Sequence, residues 1–168
     1  MLVSEDLEIK IADFGFAVRV EGQYGGGART TSLGTPGYMA PEILEGRAYS
    51  GAAVDLYALG VILFVMVTVN MPFSSLSCGQ IPKGRSVHEF DASYLRFNVD
   101  KKAYWAGFAA HGLSSEIKAL LDAMLHPDPT LRPTPADILM HAWMTQQAEA
   151  TQQEVEGELR ARLEIRGQ

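Results

Sequence analysis

Three short stretches carry residue types that could do chemistry. Asp13 closes a run in which Leu7, Ile9 and Ile11 alternate with Glu8, Lys10 and Ala12, the period-two pattern of a short half-buried strand. A carboxylate at a strand's end, followed by the large apolar anchor Phe14 and by Gly15, can present a metal ligand on a turn whose geometry the aromatic ring controls. A plain exit from strand to turn is the other reading of so short a tripeptide. The second stretch, Glu21 to Ser32, is glycine-rich and ends in the hydroxyls of Thr30, Thr31 and Ser32 behind Arg29, which predicts a mobile surface loop. The third is the nonapeptide GTPGYMAPE, Gly34 to Glu42.

Other chemistries find little support. His88, His111, His126 and His141 are scattered, and none stands at metal-ligand spacing from another ligand. Gly25, Gly26 and Gly27 resemble a phosphate loop only in composition, since no G-x-x-x-x-G-K-S/T pattern follows, and they read as a flexible linker. The single cysteine, Cys78, cannot form an internal disulfide, and nothing around it would activate a thiolate.

These stretches must be positioned by the rest of the chain, and its most apolar part is Val54 to Val69. After Asp55 this run has no polar stripe, so it must be surrounded by a shell of other elements. It is read as a central buried helix, with a strand as the second option because of its β-branched residues, and as too short for a membrane span of about 20 residues. Asp55 falls at its N-terminus, either as an N-cap or holding the backbone of another loop. Pro72 and Phe73 end the run. Tyr104, Trp105 and Phe108 recur at helical spacing, and Ile117, Leu120, Leu121, Met124 and Leu125 predict a helix over Leu113 to Leu125 stopped by Pro127 and Pro129. Thr134, Pro135 and Asp137 form a helix start, with the helix expected to reach about Trp143. The tail from Thr151 puts Val155, Leu159 and Leu163 on one face, a surface helix interrupted by Gly157.

The chain has 168 residues, a length for one domain. With 14 Lys and Arg against 20 Asp and Glu, the net charge of -6 argues against a broad nucleic-acid surface or an acidic membrane as partner. The N-terminus lacks the pattern of a signal peptide and no N-x-S/T acceptor occurs, so an intracellular location, cytoplasmic or nuclear, is the expectation.

Asp13-Phe14-Gly15 and GTPGYMAPE, in this order and at this separation, together resemble the activation segment of the eukaryotic protein kinases; Thr35 and the sequence around it look like the serine/threonine branch, and the tail from Thr151 resembles those of calcium/calmodulin-dependent-like kinases. The fold class this implies is mainly α: the C-terminal helical lobe of a protein kinase with a short β segment at its N-terminus and no N-terminal lobe. Residues 1–145 would be the partial kinase domain and 146–168 a helical C-terminal tail. The resemblance implies that Asp13 holds Mg2+ bridging the phosphates of ATP, and that Phe14 and Gly15 complete the cofactor-binding turn. Thr35 would contact the catalytic aspartate, and Gly34, Thr35, Pro36, Gly37 and Tyr38 would form the pocket for the residue after the phosphoacceptor. Thr31, with Thr30 beside it, matches the activating phosphosite. Glu42 would pair with Arg132 of DPTLRP, fixing the segment to the helices, and Asp55 would hydrogen-bond the backbone of the catalytic loop. Ile62 and Met66 match positions beneath the adenine ring, and Tyr104, Trp105 and Phe108 resemble a helix used for docking. Ser74 to Asp91 reads as an insertion.

Several parts of that family's site do not occur in the sequence: a glycine-rich loop over the phosphates, a strand lysine, a partnering glutamate, and an HRD loop with its catalytic aspartate. Met1, Leu2 and Val3 look like the residues that follow the catalytic-loop asparagine, so a truncated gene model or fragment is expected. ATP and Mg2+ belong to the complete kinase and should not bind tightly to this chain, whose status as an enzyme stays open. Its expected partners are a protein substrate with a Ser or Thr acceptor and the N-terminal kinase lobe. The alternative is a non-catalytic binding module of pseudokinase-like type.

Overall fold

The computed structural model describes residues 2–4, 8–15, 17, 34–73, 85–89, 91–146 and 150–166. The expectations placed on the glycine-rich loop, on Arg29, Thr30, Thr31 and Ser32, on Cys78 and on most of the 74–91 insertion lie outside the described residues. The chain divides into two compact units: residues 18–145, and residues 1–17 with 146–168.

In the larger unit, short turns and helices gather around one long helix. Among the described residues these are α1 (Pro41–Leu44), α2 (Gly51–Thr68), α3 (Ala92–Val99), α4 (Lys101–Ala106), α5 (Ser115–Met124), α6 (Pro135–Leu139) and α7 (Ala142–Gln146), the last reaching the unit's edge. The central run is a helix, and the strand alternative is excluded. It begins three residues earlier than its apolar stretch, at Gly51, behind Ser50 in the N-cap position. Asp55 therefore lies in the second turn of α2 and is not the cap. At the other end Val69 takes a left-handed conformation, φ 58°, a costly one for a β-branched residue. That turn ends the helix before Pro72, and the Thr68 hydroxyl donates to the Phe64 carbonyl at 2.8 Å.

Among the described residues no shell closes all round α2. Tyr57, Gly60, Val61, Phe64 and Thr68 are buried on one face. On the opposite face Asp55, Leu59, Met66 and Val69 are exposed, Met66 at 71%. By length and composition α2, with 18 residues, could cross a membrane, so the expectation that the run is too short does not hold on length. Its inner face is nonetheless packed in protein. Gly60 lets α5 approach so closely that a Cβ there would stand 2.9 Å from Met124 Cβ. Phe64 meets the ring of Phe108 edge-on at 5.1 Å and lies 5.8 Å from Trp105. Tyr104 and Trp105 are buried in this aromatic cluster, and the Tyr104 hydroxyl donates to the Pro72 carbonyl at 2.9 Å. Core packing thus accounts for these two rings.

The remaining helices start where their caps dictate. The Asp91 carboxylate accepts from Tyr94 N and that of Asp100 from Ala103 N, opening α3 and α4; the Ser114 hydroxyl accepts from Ile117 N to open α5. Each cap satisfies a backbone donor that the helix itself cannot. Thr134 and Asp137 form the full capping box of α6. The helix expected to reach Trp143 is two pieces, because α6 stops at Leu139 and α7 begins at Ala142 after His141 N turns back to the Ile138 carbonyl.

The smaller unit contains the two-stranded antiparallel ladder of β1 (Leu2–Val3) and β2 (Ile9–Lys10), with Leu2 opposite Lys10 and Val3 opposite Ile9. The strand is shorter than its alternating pattern, and it is not half-buried: Ile9 and Ile11 are 72% and 74% exposed. The unit also contains α8 (Gln152–Arg166), which runs through Gly157 without a break.

Because Gly60 sits against α5, Gly60→Ala should cost about 1 to 3 kcal/mol through overpacking. A urea melt followed by tryptophan fluorescence should show the midpoint fall with the slope unchanged.

Candidate functional site

The Gly34–Glu42 segment is built from backbone outward. Gly34 has φ 129°, a conformation that favours glycine. Thr35 is extended, and its carbonyl accepts from Tyr38 N at 3.0 Å to open the single 3-10 turn Pro36–Tyr38, in which Pro36 presets the backbone. Thr35 is exposed and its hydroxyl makes no capping bond. From Met39 onward the chain dives inward: Ala40, Pro41, Glu42 and Ile43 are all buried, in α1 and at its entry.

Glu42 is a fully buried carboxylate, and it has a complete answer. Arg132 Nη1 and Nη2 donate to its two oxygens at 2.6 and 2.8 Å. The same guanidinium gives a further Nη1 bond to the Ala53 carbonyl at 3.0 Å and an Nε bond to the His126 carbonyl at 2.9 Å. Beneath it lies the Tyr57 ring, 4.9 Å from the guanidinium carbon. One side chain thus ties together α1, the first turn of α2 and the loop after α5, using the planar fork that makes arginine suited to a buried carboxylate. Burial raises the Tyr57 hydroxyl well above its ordinary range, and that hydroxyl has no partner among the described residues.

Sequence reasoning missed a second tie in the same place. Glu45, at the end of α1, accepts from Ser86 Oγ and Val87 N, each at 3.1 Å, and from Arg47 Nε at 2.7 Å. Of the two distant partners, Val87 offers a backbone amide and Ser86 lies 41 residues away, so no spacing signal could have found the tie.

Asp55 is exposed, on the open face of α2, and has no hydrogen-bond partner among the described residues. Partial desolvation raises its carboxyl above the usual range. Ile62 is half-buried and Met66 exposed on that same face, so Asp55, Leu59, Ile62 and Met66 make one stripe with nothing over it among the described residues.

In the smaller unit Asp13 has φ 66°, in the left-handed region that aspartate tolerates better than most residues. Its Oδ1 accepts from Gly15 N at 3.3 Å, and the Phe14 carbonyl accepts from Ala17 N at 2.9 Å. Asp13 is exposed and Phe14 is 68% exposed. The carboxylate is therefore displayed on a tight turn.

Residues 1–144 match the model of the protein kinase domain. The chain belongs to the protein kinase family. Within it the chain sits with the serine/threonine branch. It is 33% identical over 143 residues to CBL-interacting protein kinase 26 of Oryza sativa subsp. japonica, covering 85% of this chain and 26% of that kinase. It is 30% identical to sperm motility kinase 2B of Mus musculus, over 87% of this chain and 26% of the other. The probable serine/threonine-protein kinase CCRP1 of Zea mays is 33% identical, with 86% and 20% covered. The chain thus spans about a quarter of the length of these relatives. The fold is accordingly that of the kinase's helical lobe, mainly α with a short β segment.

Removing one partner of the Glu42–Arg132 pair leaves the other charge buried alone. Arg132→Met and Glu42→Gln should each lose about 3 to 5 kcal/mol, read as a lowered urea midpoint, with the double variant losing less than the sum. Asp55 predicts the opposite sign. Its folded pKa lies above the unfolded one, so the folded state holds its proton more tightly and stability falls as pH rises through that range. Asp55→Asn should raise the melting temperature at neutral pH and flatten the loss on the alkaline side of the carboxyl range.

Proposed function

We propose that this chain is the portion of an ATP-dependent serine/threonine protein kinase that carries the metal-binding aspartate, the activation segment and the protein-substrate surface, and that by itself it transfers no phosphate. The observation that carries this reading is the buried Glu42–Arg132 pair, which holds the Gly34–Tyr38 turn outward with Thr35 on display. Gly34, Thr35, Pro36, Gly37 and Tyr38 would receive the residue after the acceptor hydroxyl. Thr35 would reach toward a catalytic aspartate supplied by another segment. Thr31, with Thr30, would take an activating phosphate, adding about -1.5 to -2 charges to the loop.

Asp13 suits one ligand of a Mg2+ ion: it offers an exposed hard oxygen on a tight turn. Among the described residues no group of three ligating side chains gathers around it or elsewhere. Mg2+ in such sites takes one or two carboxylates and fills its shell with water and phosphate oxygens. When bound, Mg-ATP would supply the phosphoryl group and neutralise its charge, whereas Asp13 only orients it. Phosphoryl transfer depends on positioning by several parts at once, and the sequence has no glycine-rich loop, strand lysine or HRD aspartate. The uncovered stripe from Asp55 to Met66 supports the same conclusion, since it fits a surface on which the catalytic loop rests. The acidic chain is assigned no nucleic-acid or membrane partner, and an intracellular, cytoplasmic or nuclear, location accords with its kinase relatives.

Titration with a fluorescent ATP analogue and Mg2+ should show no saturation at micromolar concentrations for the chain alone. Joined behind a kinase segment bearing the phosphate loop, the strand lysine and the HRD loop, it should bind the analogue and phosphorylate a Ser/Thr peptide, and Asp13→Asn should abolish transfer. Micromolar binding by the chain alone would overturn its predicted inactivity. A joined protein that melts cooperatively yet binds no nucleotide would favour the non-catalytic binding module.

A further inference from the structure

The Glu45 tie joins the end of α1 to a segment with an unusual sequence. Ser86 is the only serine or threonine in the chain with two cations among the three residues before it, Lys83 and Arg85. In a protein of net charge -6 this is a local exception. The side chain of Ser86 is half-buried, and its hydroxyl donates to Glu45 Oε1 at 3.1 Å. The next amide, Val87 N, donates to the same oxygen at 3.1 Å. Val87 is fully buried in the core, and its carbonyl accepts from Asp91 N just ahead of α3.

We propose that Ser86 is a phosphoacceptor site, and that a phosphate there releases the 85–91 segment from the end of α1. The bond from Ser86 Oγ to phosphorus would form as the γ-phosphorus of a nucleoside triphosphate parts from its bridging oxygen. The nucleoside diphosphate leaves, and the hydroxyl proton passes to the base of the acting kinase, an enzyme whose cleft accepts basic residues ahead of the acceptor. The product can no longer donate to Glu45. It instead sets about -1.5 to -2 charges against that carboxylate, with Glu89 and Asp91 nearby in the segment. Arg47, now on Glu45, and Arg85, now on Glu89, are the cations placed to take the phosphate. Losing Glu45 frees the Val87 amide, and with it the turn Val87–Glu89 that leads into α3. This inference does not depend on the chain having kinase activity of its own.

The test uses the full chain, Mg-ATP and the catalytic domain of a kinase selective for basic sequences, with peptide mapping by mass spectrometry and hydrogen exchange. The expected result is one phosphate on Ser86, absent in Ser86→Ala, and exchange over residues 85–91 faster by about tenfold or more. Glu45→Ala should speed the same exchange without any phosphate. Three results would overturn the proposal: no phosphate on Ser86 in the folded chain or in a free peptide spanning 80–91; phosphate on the peptide only; or phosphate on the chain with exchange unchanged.

Discussion

A charge with no access to water needs its counterpart in place before the fold can close, and here the counterpart of Glu42 comes from 90 residues further along. The pair is bidentate, both side chains are almost wholly buried, and two further guanidinium N–H groups donate to the carbonyls of Ala53 and His126. A hydrophobic pair could stabilise as well. It could not specify the register of three backbone segments at once. The turn bearing Thr35 is therefore held from behind, by an interaction that leaves its own residues free to face outward.

The second organising feature is the two-sidedness of α2. Helices that are apolar all round are ordinarily enclosed, yet α2 uses one face for α5 and the aromatic cluster and, among the described residues, leaves the other uncovered. Asp55 stands in that open stripe, its carboxyl raised by the apolar surface around it. Such a group costs stability as it stands and would lose that cost on meeting backbone donors from another segment. The two faces of this helix thus differ in role: the inner face packs the unit's core, and the outer face is exposed.

Much of the fold was legible residue by residue. The α5 stripe, the Thr134–Asp137 capping box and the helical nature of α2 follow from local periodicity and capping chemistry, which act within a few residues. The same locality explains the errors. The pattern around Ile9 and Ile11 is that of a buried face, but a two-residue ladder offers nothing to bury it against. Asp55 looked like a cap because the apolar run began there, whereas the helix began at Gly51, among small residues that periodicity does not register. The helix after Pro135 broke at His141, where backbone turning overrode a continuous pattern.

The sequence by itself determined the family and named Glu42 and Arg132 as partners, because residue types and short motifs are written locally. Tertiary structure alone decided that Glu45 grips Ser86 and Val87, that Tyr104 and Trp105 point into the core rather than outward, and that among the described residues one face of α2 stays uncovered. Each of these depends on which distant segments arrive, and in what geometry, and a linear pattern holds no record of a partner's backbone amide or of the volume left between two helices.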